Sequence, residues 1–361
     1  MKVFYDHQIF SWQKYGGISR YFTELMSHLE DFGITYENSL LLSDNIHIKL
    51  LKKCSNGVSL PQFKGKIRTY NAINKINSIN KIRKSEFDIF HPTYYDPYFL
   101  KYLKRPFVLT VHDLTHERYP QLFPKKDNTI SLKRDIITKA NRIIAVSNNT
   151  KKDLIELYNI PDDKIDVIYL GYSFNDLITE TVHHLPNHYI LFVGQRDGYK
   201  NFSTFLKAFA YINKRKPDVH LICTGTNFTI QELKLIKSLK LDDRITSMFV
   251  SDSQLNYLYK KALCFVYPSL YEGFGIPILE SFALSCPVAL SNASCFPEIA
   301  QNGGSYFDPT QPNNIGECVL QILNDNVYRQ MLITEGHKLL LKYSWKKMTE
   351  EIAEVYRKTI Q

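Results

Sequence analysis

Nowhere in the 361 residues is there a run of about 18 apolar side chains, the least a membrane-spanning helix needs. The opening residues, Met1-Lys2-Val3-Phe4-Tyr5-Asp6, lack the apolar region of a secretory signal. Six cysteines (Cys54, Cys223, Cys264, Cys286, Cys295 and Cys318) form no Cys-x-x-Cys pair and no Cys/His metal spacing. Most sit in apolar runs, which predicts buried free thiols in a reducing compartment, and hence a cytoplasmic protein. No Asp-x-Asp occurs, and the neighbouring imidazoles His183 and His184 cannot easily turn to one ion. Neither a metal nor another cofactor is expected.

Acidic residues are missing from one long stretch. Between Lys49 and Lys84 ten Lys and Arg occur with no Asp or Glu. The net charge of +9 is lopsided to match: residues 1–170 carry 26 basic against 18 acidic groups, and residues 171–361 carry 19 against 18. A basic stripe suits nucleic acid, an anionic membrane surface or a phosphorylated substrate, and a plain solvated face is the simpler reading. The aromatic-plus-basic motifs of RNA-binding modules are absent. Within the stretch Ile67, Ile73, Ile76, Ile79 and Ile82 recur among Lys66, Arg68, Lys75, Lys81, Arg83 and Lys84, with Asn71, Asn74, Asn77 and Asn80 in the gaps. This predicts a helix, either amphipathic on a membrane surface or packed on a sheet with its charge outward.

Short apolar runs alternating with helical periodicity fill the rest. Residues 3–6, 34–42, 88–92, 107–113, 142–146 and 165–170 read as strands, with helical spacing between them. Residues 172–188 hold no steady period and read as a linker. The pattern restarts with strands at 189–193, 219–225, 245–250 and 264–268. Two α/β doubly wound domains follow, over residues 1–172 and 187–344, with a last helix over 345–361.

In open α/β sheets ligands sit where strands end. After the first strand, Lys14-Tyr15-Gly16-Gly17 opens a helix carrying Ser19 and Arg20, a layout that serves a tight turn or cradles phosphate. His112 lies at the carboxyl end of the strand over 107–113. In the second half Gly194-Gln195-Arg196-Asp197-Gly198-Tyr199-Lys200-Asn201 puts a guanidinium fork and an ammonium at one turn, which suits a diphosphate. Tyr271-Glu272-Gly273-Phe274-Gly275-Ile276-Pro277-Ile278-Leu279-Glu280 then places one carboxylate before a strand-to-helix turn and one within the helix. The glycines let backbone N–H groups reach a ligand, and each acid suits a diol.

The string Glu272-Gly-Phe-Gly-Ile-Pro-x-x-Glu280, preceded by Pro268-Ser269, resembles the donor-site signature of the retaining family 4 glycosyltransferases of GT-B fold. Gly-x-Arg-x-x-x-Lys-Asn at 194–201, Thr110-Val-His112-Asp113-Leu, the Gly-Gly turn and Phe296-Pro297-Glu298-Ile299 are similar to further segments of that family. Gln195 stands where a second glycine is usual, and Ser285-Cys286 where Gly-Thr is usual. The resemblance implies two Rossmann-like domains facing each other across a cleft, with the final helix crossing back to the first. It implies a nucleotide-sugar donor held by Gly16, Gly17, Arg196, Lys200, Gly225, Phe274, Gly275, Ile276 and Glu280. The groups serving transfer would be His112 and Glu272 at the sugar and Arg196 with Lys200 at the diphosphate. Lys14 and Arg20 would lie toward the acceptor. Replacing Arg196 by alanine is expected to cost transfer with little loss of fold.

Retention without a metal is implied, by a front-face route in which the departing phosphate oxygen takes the acceptor proton. The opening stretch, Tyr5-Asp-His-Gln-Ile-Phe-Ser to Tyr15-Gly-Gly-Ile-Ser-Arg-Tyr, looks like bacterial surface-polysaccharide mannosyltransferases. GDP-mannose is therefore the leading donor, UDP-glucose and UDP-N-acetylglucosamine stay open, and the acceptor is a saccharide or lipid-linked saccharide. Two other classes compete: a basic membrane- or nucleic-acid-binding protein without transfer activity, and a nucleotide-sugar epimerase of the same fold. The Glu-Gly-Phe-Gly string counts against the epimerase.

Overall fold

Strands buried on both faces read as unbroken apolar runs, and those runs become the parallel strands of a computed structural model. It describes residues 1–51, 57–172, 177–196 and 198–361. Cys54, Lys52, Lys53 and Asn175 of the segments read above, and Asp197, lie outside the described residues.

The chain divides into two units, Met1–Gly171 with Trp345–Gln361, and Tyr172–Ser344. The first holds β1 (Lys2–Tyr5), β2 (Thr35–Asn38), β3 (Ile89–His91), β4 (Val108–Val111), β5 (Arg142–Ala145) and β6 (Ile165–Val167). They pair in parallel as β2-β1-β3 and β4-β5-β6, and a bridge from Phe90 to Phe107 joins the two sets. Its helices are α1 (Gln8–Trp12), α2 (Gly17–His28), α3 (Lys66–Lys84), α4 (Thr115–Arg118), α5 (Thr129–Ile137) and α6 (Asn148–Tyr158).

The second unit holds β7 (Tyr189–Phe192), β8 (His220–Thr224), β9 (Ile245–Met248), β10 (Cys264–Tyr267), β11 (Val288–Ser291) and β12 (Gly304–Phe307), all parallel in the order β12-β11-β10-β7-β8-β9. Its helices are α7 (Phe202–Arg215), α8 (Ile230–Ser238), α9 (Asp252–Lys261), α10 (Ile276–Ala283), α11 (Phe296–Ala300), α12 (Pro312–Asn324) and α13 (Asn326–Leu340). The face of α7 bearing Phe202, Phe205, Leu206, Phe209 and Ile212 is buried in the core of this unit, as its spacing predicts. Capping boxes at Thr229/Glu232 and Ser251/Gln254 start α8 and α9.

The last helix, α14 (Trp345–Ile360), belongs to the first unit. It buries Trp345, Met348, Ile352, Val355 and Tyr356. The Tyr356 hydroxyl meets His91 Nδ1 at 2.6 Å and the Tyr5 hydroxyl at 2.7 Å.

Three local expectations change. The strand over 34–42 stops at Asn38, because side chains of α3 take over its backbone partners. Asn74 Oδ1 accepts from the N–H groups of Leu41 (2.9 Å) and Leu42 (3.0 Å), and Asn77 donates to the Ser39 carbonyl at 2.9 Å. The loop before Gly16 contains α1, with Gln8, Ile9, Phe10 and Ser11 buried. The inward face of α3 is Lys66, Tyr70, Asn74, Ser78 and Ile82, four residues apart, so that Ile82 is the one fully buried member of the isoleucine stripe. Ile67, Ile73 and Ile76 are 59%, 39% and 62% exposed. Side-chain hydrogen bonds explain the reversal: Ser78 Oγ meets His7 Nδ1 and Ser39 Oγ, each at 2.6 Å, and Asn74 donates to Ser11 Oγ at 2.8 Å.

The five described cysteines are buried and unpaired. Among the described residues no helix is long and apolar enough to cross a membrane.

Candidate functional site

In the second sheet β7 leads outward through β8 to β9, and its neighbour β10 leads the other way through β11 to β12. Loops leaving two such strands diverge and open a crevice at their carboxyl ends. Lys200 follows β7 and Glu272 follows β10. Their side chains meet, Nζ to Oε1, at 2.6 Å, and are 16% and 14% exposed. The ammonium also lies over the rings of Tyr199 (5.1 Å) and Tyr267 (5.5 Å).

Backbone stapling sets that meeting. Leu270 N–H donates to the Tyr199 carbonyl at 2.8 Å. Asn201, at φ 57°, donates from Nδ2 to the carbonyls of Pro268 (3.1 Å) and Pro309 (2.7 Å). The Ser294 hydroxyl accepts from Glu272 N–H at 3.0 Å and donates to the Glu272 carbonyl. Asn201 had a visible signal, its place after Lys200 at a helix start. Ser294 had none, since its role comes from the packing of β11's loop.

Gly275 opens α10 at φ +94°, where a Cβ would come within 3.1 Å of Ile278 Cδ1 and 3.2 Å of Phe296 Cε1. Only glycine meets both demands. Phe274, Gly275 and Ile276 lie at this helix start, and among the described residues no side chain caps it at Gly275. Glu280, half-buried on α10, accepts from the Tyr259 hydroxyl at 3.1 Å. Gly225, after β8, has φ +115° and packs against the Gly194 carbonyl.

Arg196 faces elsewhere. Its Nε donates to Glu232 Oε1 at 2.8 Å, and Nη2 donates to the carbonyls of Thr226 (2.6 Å) and Asn227 (2.9 Å). The guanidinium lies 4.8 Å from the Phe228 ring centroid, and its side chain is 4% exposed. Nη1 is buried without a partner among the described residues. Arg196 pairs with Glu232 and Lys200 with Glu272, and Arg196 is built into the fold more deeply than a surface clamp requires.

His112, Gly16, Gly17, Lys14 and Arg20 belong to the first unit. His112 follows β4; its N–H donates to the Tyr95 hydroxyl at 3.0 Å, and its ring stands edge-on to Tyr21. Nε2 is buried with no partner among the described residues. Burial lowers the His112 pKa to about 4, against the opposing pull of Asp113 and with help from Lys133, so the imidazole is neutral at pH 7. For Asp113 burial works upward, but Lys133 and the Thr115 N–H outweigh it and bring the carboxyl to about 2. The Gly16 carbonyl accepts from Arg20 N–H and the Ser19 hydroxyl, each at 3.0 Å. Gly17 and Lys14 are exposed. Arg20 lies 3.9 Å from Glu24 and 6.0 Å from the Trp345 ring centroid. Among the described residues no three of His, Cys, Asp and Glu converge as a metal site would need.

Comparison with known proteins now has a geometry to meet. The profile for "Glycosyl transferases group 1" matches residues 175–339, and that for "Glycosyltransferase Family 4" matches residues 15–176. O-antigen chain mannosyltransferase B of Escherichia coli is 27% identical over 369 residues, 94% of this chain and 96% of the relative. O-antigen chain mannosyltransferase RfbU of Salmonella typhimurium LT2 is 32% identical over 212 residues, 57% and 58% of the two chains. Among solved structures, Anabaena HepE in complex with UDP-glucose aligns with a TM-score of 0.75 at 17% identity, over 99% of this chain and all of that one. The chain belongs to the group 1, family 4 glycosyltransferases and has their GT-B fold.

Proposed function

We propose that this glycosyltransferase moves mannose from GDP-mannose onto a saccharide or lipid-linked acceptor in the building of a cell-surface polysaccharide. Configuration is retained and no metal takes part. The observation that carries this reading is the Lys200–Glu272 pair at the strand-order reversal. Each group is a partner of the other in the structure. A bound donor exchanges both partners: the diphosphate takes Lys200, and sugar hydroxyls take Glu272. Charge that grows on the leaving diphosphate is then met by a fixed protein cation. The start of α10 adds N–H groups and a favourable dipole at Phe274, Gly275 and Ile276. Gly225 and Glu280 complete the nucleotide side, Glu280 on the ribose diol. Arg196, braced by Glu232, keeps Nη1 as its remaining donor for the diphosphate, and Gly16 and Gly17 of the first unit are assigned to the donor as well. His112 offers its neutral imidazole to the transferred sugar, and Lys14 and Arg20 lie toward the acceptor. The departing phosphate oxygen takes the acceptor proton, so no enzymic base is assigned. The mannosyltransferase relatives favour mannose, and the UDP-glucose complex of HepE keeps glucose as the competitor.

The test is a donor panel (GDP-mannose, UDP-glucose, UDP-N-acetylglucosamine) with excess chelator, read by thermal shift and product NMR. A micromolar donor at 100-fold excess adds about 2.7 kcal/mol. Stabilisation by GDP-mannose with an α-linked product supports the reading. A panel without effect, or an epimerised sugar released without acceptor, sinks it.

We further infer peripheral contact with the inner face of the plasma membrane through the stretch from Lys49 to Lys84. Ile67, Ile73 and Ile76 point outward from α3 beside Arg68 and Lys84, although Lys66, Lys75 and Lys81 are already paired with Asp44, Asp96 and Glu37. Co-sedimentation with anionic vesicles, lost in Ile73→Asp/Ile76→Asp, is the expected result. Equal binding by the variant removes the assignment.

A further inference from the structure

Lys133, on α5, has a side chain only 2% exposed. Burying an ammonium is unfavourable unless partners surround it, and an apolar side chain of similar length costs less there. Its surroundings are specific. Glu117 Oε2 on α4 lies 3.3 Å from Nζ and Asp113 Oδ1 lies 3.7 Å away. The Asp113 carbonyl accepts from Nζ at 3.0 Å, and the Tyr95 ring centroid is 5.1 Å off. The Tyr95 hydroxyl accepts from His112 N–H, and Glu117 Oε1 in turn accepts from the Tyr158 hydroxyl at 2.7 Å. The His112–Asp113 turn is therefore gripped at the N–H of one residue and the carbonyl of the next, and both grips converge on Lys133.

We propose that Lys133 is a positioning residue for sugar transfer: seated between Glu117 and Tyr95, it fixes the Asp113 carbonyl and so the orientation of His112. The proposal rests on the reading that His112 serves the transferred sugar. Charge adds to geometry. Lys133 lowers the pKa of both His112 and Asp113. The other titratable groups around the turn include Tyr21, His91, Tyr94, Tyr95, His116, Glu117, Asp127 and Tyr158, and none of these supplies a permanent positive charge. Without Lys133 both values rise, and the neutral imidazole is lost at a higher pH.

The test compares Lys133→Met, Lys133→Arg and His112→Asn with the wild type. For Lys133→Met we expect nucleoside diphosphate binding close to wild type, because Lys200, Gly225 and Glu280 belong to the second unit, and an unchanged KM for the donor. kcat should fall at least ~10-fold, and the acid limb of its pH profile should move to higher pH. Lys133→Arg, which keeps the charge, should restore the acid limb. A normal kcat in Lys133→Met, or a fall in kcat with an unmoved acid limb, overturns the proposal. Should Lys133→Met not fold, Lys133→Met/Glu117→Gln removes cation and carboxylate together and is read the same way. If His112→Asn keeps full activity, the reading of His112 itself fails; if only Lys133→Met does, the positioning role alone fails.

Discussion

Lys200→Ala separates the ion pair's contribution to the fold from its contribution to catalysis. At 2.6 Å two unit charges attract by about 1.6 kcal/mol in bulk water and about 6 kcal/mol at an effective dielectric of 20. Desolvation of the two groups cancels part of this, which leaves a net coupling of about 1–3 kcal/mol. Unfolding should therefore shift modestly, and the coupling is read from a cycle of Lys200→Ala, Glu272→Gln and the double variant. In the donor complex the same ammonium faces a diphosphate whose charge grows as the glycosidic bond breaks. Losing one such donor costs about 2.7–4 kcal/mol at the transition state, or about 10²–10³ in kcat. Ground-state affinity for the nucleoside diphosphate should weaken by about 1.5–3 kcal/mol, roughly 10- to 150-fold in Kd. Calorimetric titration with GDP and UDP gives the second number, and initial rates at saturating donor give the first. A folded variant with wild-type nucleotide affinity and wild-type kcat would refute the partner exchange outright.

Other perturbations follow from the same geometry. Gly275→Ala meets both a positive φ and two close side chains, so about 1–3 kcal/mol of stability should be lost, seen as a lower Tm of the second unit; an unchanged Tm contradicts the strain argument. Arg196→Ala removes a cation from Glu232 and two carbonyls at only 4% exposure, so it should cost about 3 kcal/mol of stability besides any loss of rate, and a stable but inactive variant would restore a purely catalytic role. His91 and His112 are held at about 3 and about 4 by burial, below the ordinary 6.5. The unfolded chain binds protons first as pH falls, so their contribution is complete above pH 6.5 and drains away toward pH 4. Between pH 7 and 5 the first unit should lose about 3–4 kcal/mol. Thermal unfolding across that range measures it, and His91→Asn should remove about half; a flat profile refutes the burial account.

That Lys200 and Glu272 each sit at a strand-to-helix turn was legible from the glycines and prolines around them, but their ion pair was not, because it depends on β7 and β10 lying side by side. Arg196 was harder. Its spacing resembled a diphosphate cation, while Glu232, 36 residues on, took its Nε. The α3 face was misread because the middle of its inner side is Asn74 and Ser78, held through hydrogen bonds, which interrupts the apolar period between Tyr70 and Ile82. Lys133 carried no local signal at all: one lysine in a helix reads as a surface charge until α4, Tyr95 and the Asp113 turn are folded around it.

The placement of α14 has a consequence for synthesis on the ribosome. The strand bearing Tyr5 is made early, yet its hydroxyl partner Tyr356 is added more than three hundred residues later. The second unit, one unbroken segment, is free to mature in the meantime. A nascent chain cut short after residue 344 therefore carries its damage at the opposite end, as an uncovered apolar trough over α2 and a bereft His91. Quality-control proteases that sample the amino-terminal half would detect a fault encoded near the carboxyl terminus.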